Sequence, residues 1–287
     1  MAWLAGIIEG EGCFLVLDSR VAVVVAMTDE DVVCRVADLF GVTAQSYFPK
    51  RVGSKRVYVA RATGARAVSI MSAVSGYLGV RRRTKAQECL AVYAQALIAK
   101  DARNQSQARC SDEELVKAWE AKPAVMSLRQ LSRNLGIANH GHLKNRLMRL
   151  GLIAQIGEGP PKLPAIAAPL FNSLSDELWW AYCAGFLEGE GCFDFVGRAV
   201  RVSFDSTDED VVSTFAGRLG VRFGRATKKN DNWLPLYTVR LGGSDAERTM
   251  RNILPFMGTR RANRIEECLV VREACLRWKA AGRKDPT

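Results

Sequence analysis

The sequence predicts an α+β protein built from two copies of one plan, with an all-helical insert between them. Three observations carry this. A nearly identical stretch occurs twice, as Leu4-Ala5-Gly6-Ile7-Ile8-Glu9-Gly10-Glu11-Gly12-Cys13-Phe14 and as Cys183-Ala184-Gly185-Phe186-Leu187-Glu188-Gly189-Glu190-Gly191-Cys192-Phe193. The offset between them, 190 − 11 = 179, also maps Thr28-Asp29-Glu30-Asp31 onto Thr207-Asp208-Glu209-Asp210, Arg61 onto Arg240, Gly79 onto Gly258 and Glu88-Cys89-Leu90 onto Glu267-Cys268-Leu269. Within each copy the apolar residues pass from helical spacing to alternation and back.

The repeated stretch reads as a helix. Ala2, Gly6 and Gly10, like Ala181, Gly185 and Gly189, recur at i, i+4 and i+8 and form one smooth stripe. Two such stripes can pack backbone to backbone, which would bring Glu11 and Glu190 side by side at the end of the contact. Paired strands follow at Cys13 to Leu17 and Val21 to Ala26, around Asp18-Ser19-Arg20. Thr28 is expected to cap a helix, with Asp29, Glu30 and Asp31 opposing the positive end of its dipole and Gly41 ending it.

A second strand pair is expected at Ala44 to Pro49 and Arg56 to Thr63, matched by Val221 to Thr227 and Pro235 to Leu241. Its cations, Lys50, Arg51, Arg56 and Arg61 in one copy and Arg222, Arg225, Lys228 and Arg240 in the other, are interleaved with Tyr47, Tyr58, Trp233 and Tyr237. A sheet so equipped suits a nucleic-acid duplex, dividing its side chains into base readers and phosphate anchors; the alternative is a solvated sheet face. Each copy closes with a long amphipathic helix, near Thr84 to Lys100 and Asn263 to Lys279, after the clusters Arg81-Arg82-Arg83 and Arg260-Arg261. The first motif helix lacks the lead-in that Ser175 to Leu178 give the second, so it should be the shorter of the two.

The insert is different. Ser111 caps a helix through Leu115 and Trp119, and Ser127 to Ile137 has the apolar spacing and turn glycine of a helix-turn-helix. Asn139 would cap its second helix, in which Leu143, Leu147 and Leu150 face inward and Lys144, Asn145, Arg146 and Arg149 face the major groove. Leu152 to Ile156 would serve as the wing of a winged variant, and a basic solvated linker is the competing reading. His140 and His142, the chain's two histidines, point to different faces and do not suit a shared metal. The resulting organisation is repeat one at 1–100, the helix-turn-helix insert at 101–158, a proline-rich tether at 159–174 and repeat two at 175–287.

Composition sets the partner class. Lys and Arg exceed Asp and Glu by 41 − 30 = 11, which favours polyanions. The eight cysteines are scattered, without a C-x-x-C pair, and read as core residues rather than zinc ligands or disulfides. No apolar run approaches a membrane span and no basic-then-apolar leader precedes the first motif, so an intracellular setting is expected, cytoplasmic in a bacterial or phage context or organellar.

The doubled motif resembles the LAGLIDADG homing endonucleases, whose signature helix has the form L-A-G-hydrophobic-hydrophobic-acid-G/A-acid-G and occurs twice in the single-chain, intron-encoded members. The resemblance covers 1–100 and 175–280. It implies two αββαββα units about a pseudo-two-fold axis in a monomer that lays its sheets on double-stranded DNA. It also implies Mg²⁺ or Mn²⁺ at the last acid of each motif, Glu11 and Glu190, with Glu9 and Glu188 structural. A basic residue near the start of each final helix would stabilise charge on phosphate; Arg82 and Arg261 occupy this place, where the family more often has Lys. The implied activity is sequence-specific cleavage of duplex DNA. The alternatives on the same scaffold are a cleavage-deficient transcriptional regulator and an intron RNA maturase.

Overall fold

The computed structural model describes residues 1–17, 20–51, 53–106, 110–123, 125–137, 140–153, 173–196, 199–226 and 234–280. These fall into two compact units, Met1–Tyr93 with Pro164–Thr287, which holds both repeats, and Ala94–Leu163.

Repeat one runs α1 (Ala2–Glu11), β1 (Gly12–Leu17), β2 (Arg20–Met27), α2 (Glu30–Phe40), β3 (Gln45–Tyr47), β4 (Val57–Thr63), α3 (Gly64–Val74), a 3₁₀ turn and α4 (Val80–Ser106). The insert holds α5 (Asp112–Glu120), α6 (Leu128–Asn134) and α7 (His140–Arg149). Repeat two then runs α8 (Asp176–Glu190), β5 (Cys192–Val196), β6 (Ala199–Ser206), α9 (Glu209–Leu219), β7 (Phe223–Ala226), β8 (Leu236–Gly242), α10 (Gly243–Ile253), a 3₁₀ turn and α11 (Thr259–Ala280). The α+β class and the pseudo-symmetry are as expected, and α8 is longer than α1, 15 residues against 10.

Both sheets are antiparallel and share one order, β1-β2-β4-β3 and β5-β6-β8-β7. Alternation decides which face is covered. Val21, Val23 and Val25 of β2 and Ala60 and Ala62 of β4 are buried under the helices, while Arg61 and Thr63 lie on the open side. The two sheets share one core through α1 and α8, which pack at the centre of the unit. Gly6 and Gly185 set that contact, each approaching the opposite backbone too closely to leave room for a β-carbon. Arg35 lies 3.8 Å over the Trp3 ring and donates to the Phe256 carbonyl of the other repeat at 2.9 Å.

Four local expectations are corrected. Helices α3 and α10 were not read from the sequence, although Ala67, Val68, Met71 and Val74 form a buried stripe at helical spacing; the leading Gly64 and the β-branched Val68 and Ile70 weaken the local preference. In the second pairs, β3 spans three residues where six were expected, β7 starts two residues later and β4 one, and β8 keeps its length one residue further on. The last helices begin at Val80 and Thr259, so the arginine clusters form their first turns. Thr28 caps nothing: Asp29 is the N-cap of α2 and makes no side-chain cap bond, whereas Gly41 ends the helix as expected, with φ 62°.

The insert has its own small core of Leu115, Leu131, Leu143 and Leu147. Capping boxes start α5, from Ser111 and Glu114, and α6, from Ser127 and Gln130, and Ser132 Oγ donates to the Ile137 carbonyl to fix the turn between α6 and α7. Arg146 does not face outward. Three residues on from Leu143, it borders the buried stripe, and its guanidinium donates to Asp112 at 2.9 Å and to the Cys110 carbonyl at 3.0 Å. Arg149 also reaches Asp112, at 3.1 Å, which leaves Asn145 fully on the outer face and Lys144 partly so. The Asp112 carboxyl is held below its usual range by Arg146. An Asp112→Asn variant is expected to cost the insert about 1 kcal/mol, since charge-assisted bonds become neutral ones. Amide hydrogen exchange across α5 and α7 would measure this, and unchanged protection would refute it. The proposed cap Asn139, most of the proposed wing and nearly all of the 159–174 tether lie outside the described residues.

Candidate active site

Glu11 is the last residue of α1 and Glu190 the last of α8. Because the two helices touch backbone to backbone, each carboxylate leans over the partner helix. A β-carbon on Gly189 would fall 2.6 Å from Glu11 Cγ, and one on Gly10 would fall 3.5 Å from Glu190 Cγ. Both glutamates remain open to solvent. Partial burial of the carboxyl raises each pKa. Arg261 and Arg82 oppose the rise at Glu11, while at Glu190 the neighbouring Glu11 charge adds to it. An open cleft beside them is lined by Glu11, Thr28, Asp29, Gly189, Arg260 and Arg261.

Two residues earlier, about half a turn round each helix, Glu9 and Glu188 are buried and brace the structure. Each accepts from a backbone amide at 2.8 Å, Gly79 for Glu9 and Gly258 for Glu188. Burial is the main cause that pushes Glu9 up to about 7, against the Gly79 amide and Arg82.

Arg82 and Arg261 stand beside the acids, but their guanidinium groups are engaged. Arg82 donates to the carbonyls of Gly12 and Gly10, the latter at 3.2 Å, and Arg261 donates to those of Gly191 and Gly189, the latter at 3.0 Å. They bracket the backbone on which each glutamate sits. The neighbouring Arg81 and Arg260 turn the other way, each forming a two-point pair with an acid of the opposite repeat: Arg81 with Asp208 at 2.6 and 2.7 Å, Arg260 with Asp29 at 2.6 and 2.8 Å. The acid cluster that sequence reasoning assigned to the helix dipole therefore joins the two halves.

The strand cations divide by register. Arg61 pairs with Val24 across β2 and Arg240 with Ser203 across β6, and both are exposed on the open faces. Lys50, Arg51 and Arg222 are exposed next to the strands, and Arg56 covers the Phe48 ring at 4.7 Å. Arg225 differs from the expectation: it pairs with the buried Tyr237, so it follows the covered side of the ladder rather than the side of Arg240. Lys228 and Trp233 lie outside the described residues. Sequence reasoning missed β6, where Arg201, Ser203 and Asp205 line the open face; Arg201 pairs with Asp194 at 2.9 and 2.6 Å, and Asp205 accepts from the Thr238 hydroxyl. Their i, i+2, i+4 spacing was the available signal.

Two symmetric lobes, two sheets with open faces bearing Arg61 and Arg240, and two carboxylates meeting at the end of a shared helix contact define a paired-acid site on a pseudo-two-fold scaffold. No family model and no curated protein matches the chain. Among solved structures it is similar to I-SmaMI bound to an uncleaved DNA target in the presence of calcium ions, at 15% identity and TM-score 0.45 over 100% of this chain and 94% of that one. It is also similar to the I-LtrWI LAGLIDADG homing endonuclease bound to target DNA, at 12% identity and TM-score 0.49 over 95% and 89% of the two chains. With TM-scores under one half these likenesses assign no residues, and the site is read from its own geometry. Among the described residues no helix is long and apolar enough to cross a membrane.

Proposed function

We propose that this chain is a sequence-specific endonuclease of double-stranded DNA, acting as a pseudo-symmetric monomer in an intracellular setting and using Mg²⁺ or Mn²⁺. The observation that carries this is the meeting of Glu11 and Glu190 across the α1 and α8 contact. Two carboxylates held side by side, with pKa values raised by burial and, at Glu190, also by the Glu11 charge, gain from a divalent cation between or beside them. The donor set fits a hard cation. Among the described residues no group of three or more His, Cys, Asp or Glu is placed to hold a metal, so water and phosphate oxygens would complete the shell, as Mg²⁺ prefers. When bound, the cation supplies activation of water and neutralisation of charge on the scissile phosphate. The protein's own residues fix that point: Glu11 and Glu190 hold it, and Arg82 and Arg261 pin the backbone beneath them.

Arg61 and Arg240, centred on the two open faces, would contact the two halves of a DNA site, and the exposed Lys50, Arg51, Arg56 and Arg222 would meet phosphates. In the insert, Asn145 and Lys144 are the remaining candidate groove contacts. Arg61→Ala and Arg240→Ala are each expected to weaken specific binding by about 1–3 kcal/mol if they read bases, or to reduce the salt slope by about one if they contact phosphate. Titrations at several salt concentrations distinguish the two, and unchanged affinity in both variants would contradict sheet-mediated binding.

The deciding experiment incubates the purified protein with DNA spanning its own gene's insertion site, with and without Mg²⁺. Metal-dependent double-strand cleavage supports the proposal. Sequence-specific binding without nicking supports the second reading, a DNA-binding regulator, which the carbonyl-bound state of Arg82 and Arg261 favours. Preference for folded RNA over duplex DNA would support a maturase.

A further inference from the structure

We propose that Asp208 and Asp29 are positioning residues that hold each half's arginine from the opposite half, so that each half-site is set by a residue of its partner. This rests on the nuclease reading. Asp208, at the N-cap of α9 in repeat two, is buried and clamps Arg81 through two bonds, and two residues on Asp210 accepts from the Val80 amide at 2.6 Å. Together they seize the first turn of α4, in repeat one. The next residue is Arg82, whose guanidinium meets the carbonyls flanking Glu11. The direction of that guanidinium is therefore set by two acids of repeat two.

The same construction occurs in mirror order. Asp29 clamps Arg260, Asp31 accepts from the Thr259 amide at 2.7 Å, and Arg261 meets the carbonyls flanking Glu190. The arrangement is thus seen twice, at repeat-matched positions of the two halves, with nearly equal distances. A bond whose only role was to join the lobes would not need to fall one residue before the arginine that braces the glutamate. Charge-assisted two-point pairs are the strongest and most directional contacts available to arginine. A small displacement at a reacting centre is expensive in rate.

The prediction is strand-specific. In Asp208→Asn, Arg81 loses its charged partner, Arg82 is less well placed, and the strand served by the Glu11 half should be cleaved roughly ten- to a hundredfold more slowly. The other strand should stay within about twofold, so nicked product accumulates. Asp29→Asn should give the opposite strand preference, and Asp208→Glu should restore much of the lost rate. Strand-resolved cleavage of DNA labelled at each end reads all of this. Amide hydrogen exchange of the protein without metal, which should quicken at Val80 and Arg83 in Asp208→Asn, supplies a readout independent of catalysis.

Equal slowing of both strands would overturn the proposal, because general destabilisation has no strand preference. Normal cleavage of both strands despite faster exchange would overturn it as well. If the wild type binds DNA and cuts neither strand, the nuclease reading fails separately; the clamp then stands if exchange quickens at Val80 and Arg83 in Asp208→Asn and falls if protection is unchanged.

Discussion

Replacing Gly185 by alanine is expected to remove the protein from the soluble fraction or to lower its melting temperature by more than about 10 °C, the shift that about 4 kcal/mol produces in a domain of this size. A β-carbon there would overlap the Trp3 carbonyl oxygen and stand 2.9 Å from the Ile7 nitrogen. Both are backbone atoms inside a helix and cannot rotate away. The helices must separate, and Leu4, Ile7, Ile8, Tyr182, Phe186 and Leu187, all fully buried around the contact, lose packing together. Each such side chain contributes about 1.5–3 kcal/mol by burial, so a modest loss from each reaches several kcal/mol against a total stability of about 5–15 kcal/mol. Gly6→Ala should behave alike, since its β-carbon would overlap the Tyr182 carbonyl oxygen. Gly10→Ala is the control: its nearest backbone neighbour, the Phe186 carbonyl oxygen, would be 3.3 Å away, a contact that a few tenths of an ångström relieves. Calorimetry of the three variants tests the ranking, and a Gly185→Ala protein melting with the wild type would refute the close approach.

That interface was legible in the sequence because small residues at i, i+4 and i+8, an alanine and then two glycines, have one structural meaning when they occur twice in register. The 179-residue offset likewise exposed the two-lobed plan, since each copy confirms the other. What stayed hidden depends on contacts between copies. Asp29 and Asp208 look like dipole-compensating acids within their own helices, and only the folded pair shows Arg260 and Arg81 reaching across to them. Arg146 was misjudged for a related reason: helical spacing separates inner from outer residues but says little at the border, where an acid such as Asp112, far away in sequence, decides. Arg225 was placed with Arg240 because both are strand cations. The ladder register, which sequence alone does not supply for so short an edge strand, puts them on opposite sides.

Glu11→Gln and Glu190→Gln are expected to abolish most cleavage, on the order of a thousandfold each, while leaving DNA affinity within a few-fold and the fold intact. Glutamine keeps the volume and polarity of glutamate and removes only the charge that would hold a cation. The stability effect has the opposite sign to that of an ordinary core mutation. Both carboxyls have folded-state pKa values above the ordinary 4.5, so the fold binds protons more readily than the unfolded chain does. Their contribution is complete below the unfolded value and is lost as pH rises through the folded one, so at neutral pH without divalent ions each ionised carboxylate weakens the fold. The glutamine variants should therefore melt at or above the wild-type temperature at pH 7.5 and show a flatter dependence as pH rises above 4.5. Added Mg²⁺ should raise the wild-type melting temperature and leave that of the double variant unchanged, because the ligand stabilises only the form that binds it. A site whose acids cost stability without metal and lose function without charge is one kept for chemistry. Variants that melt lower than the wild type and still cleave would assign these two carboxylates to structure instead.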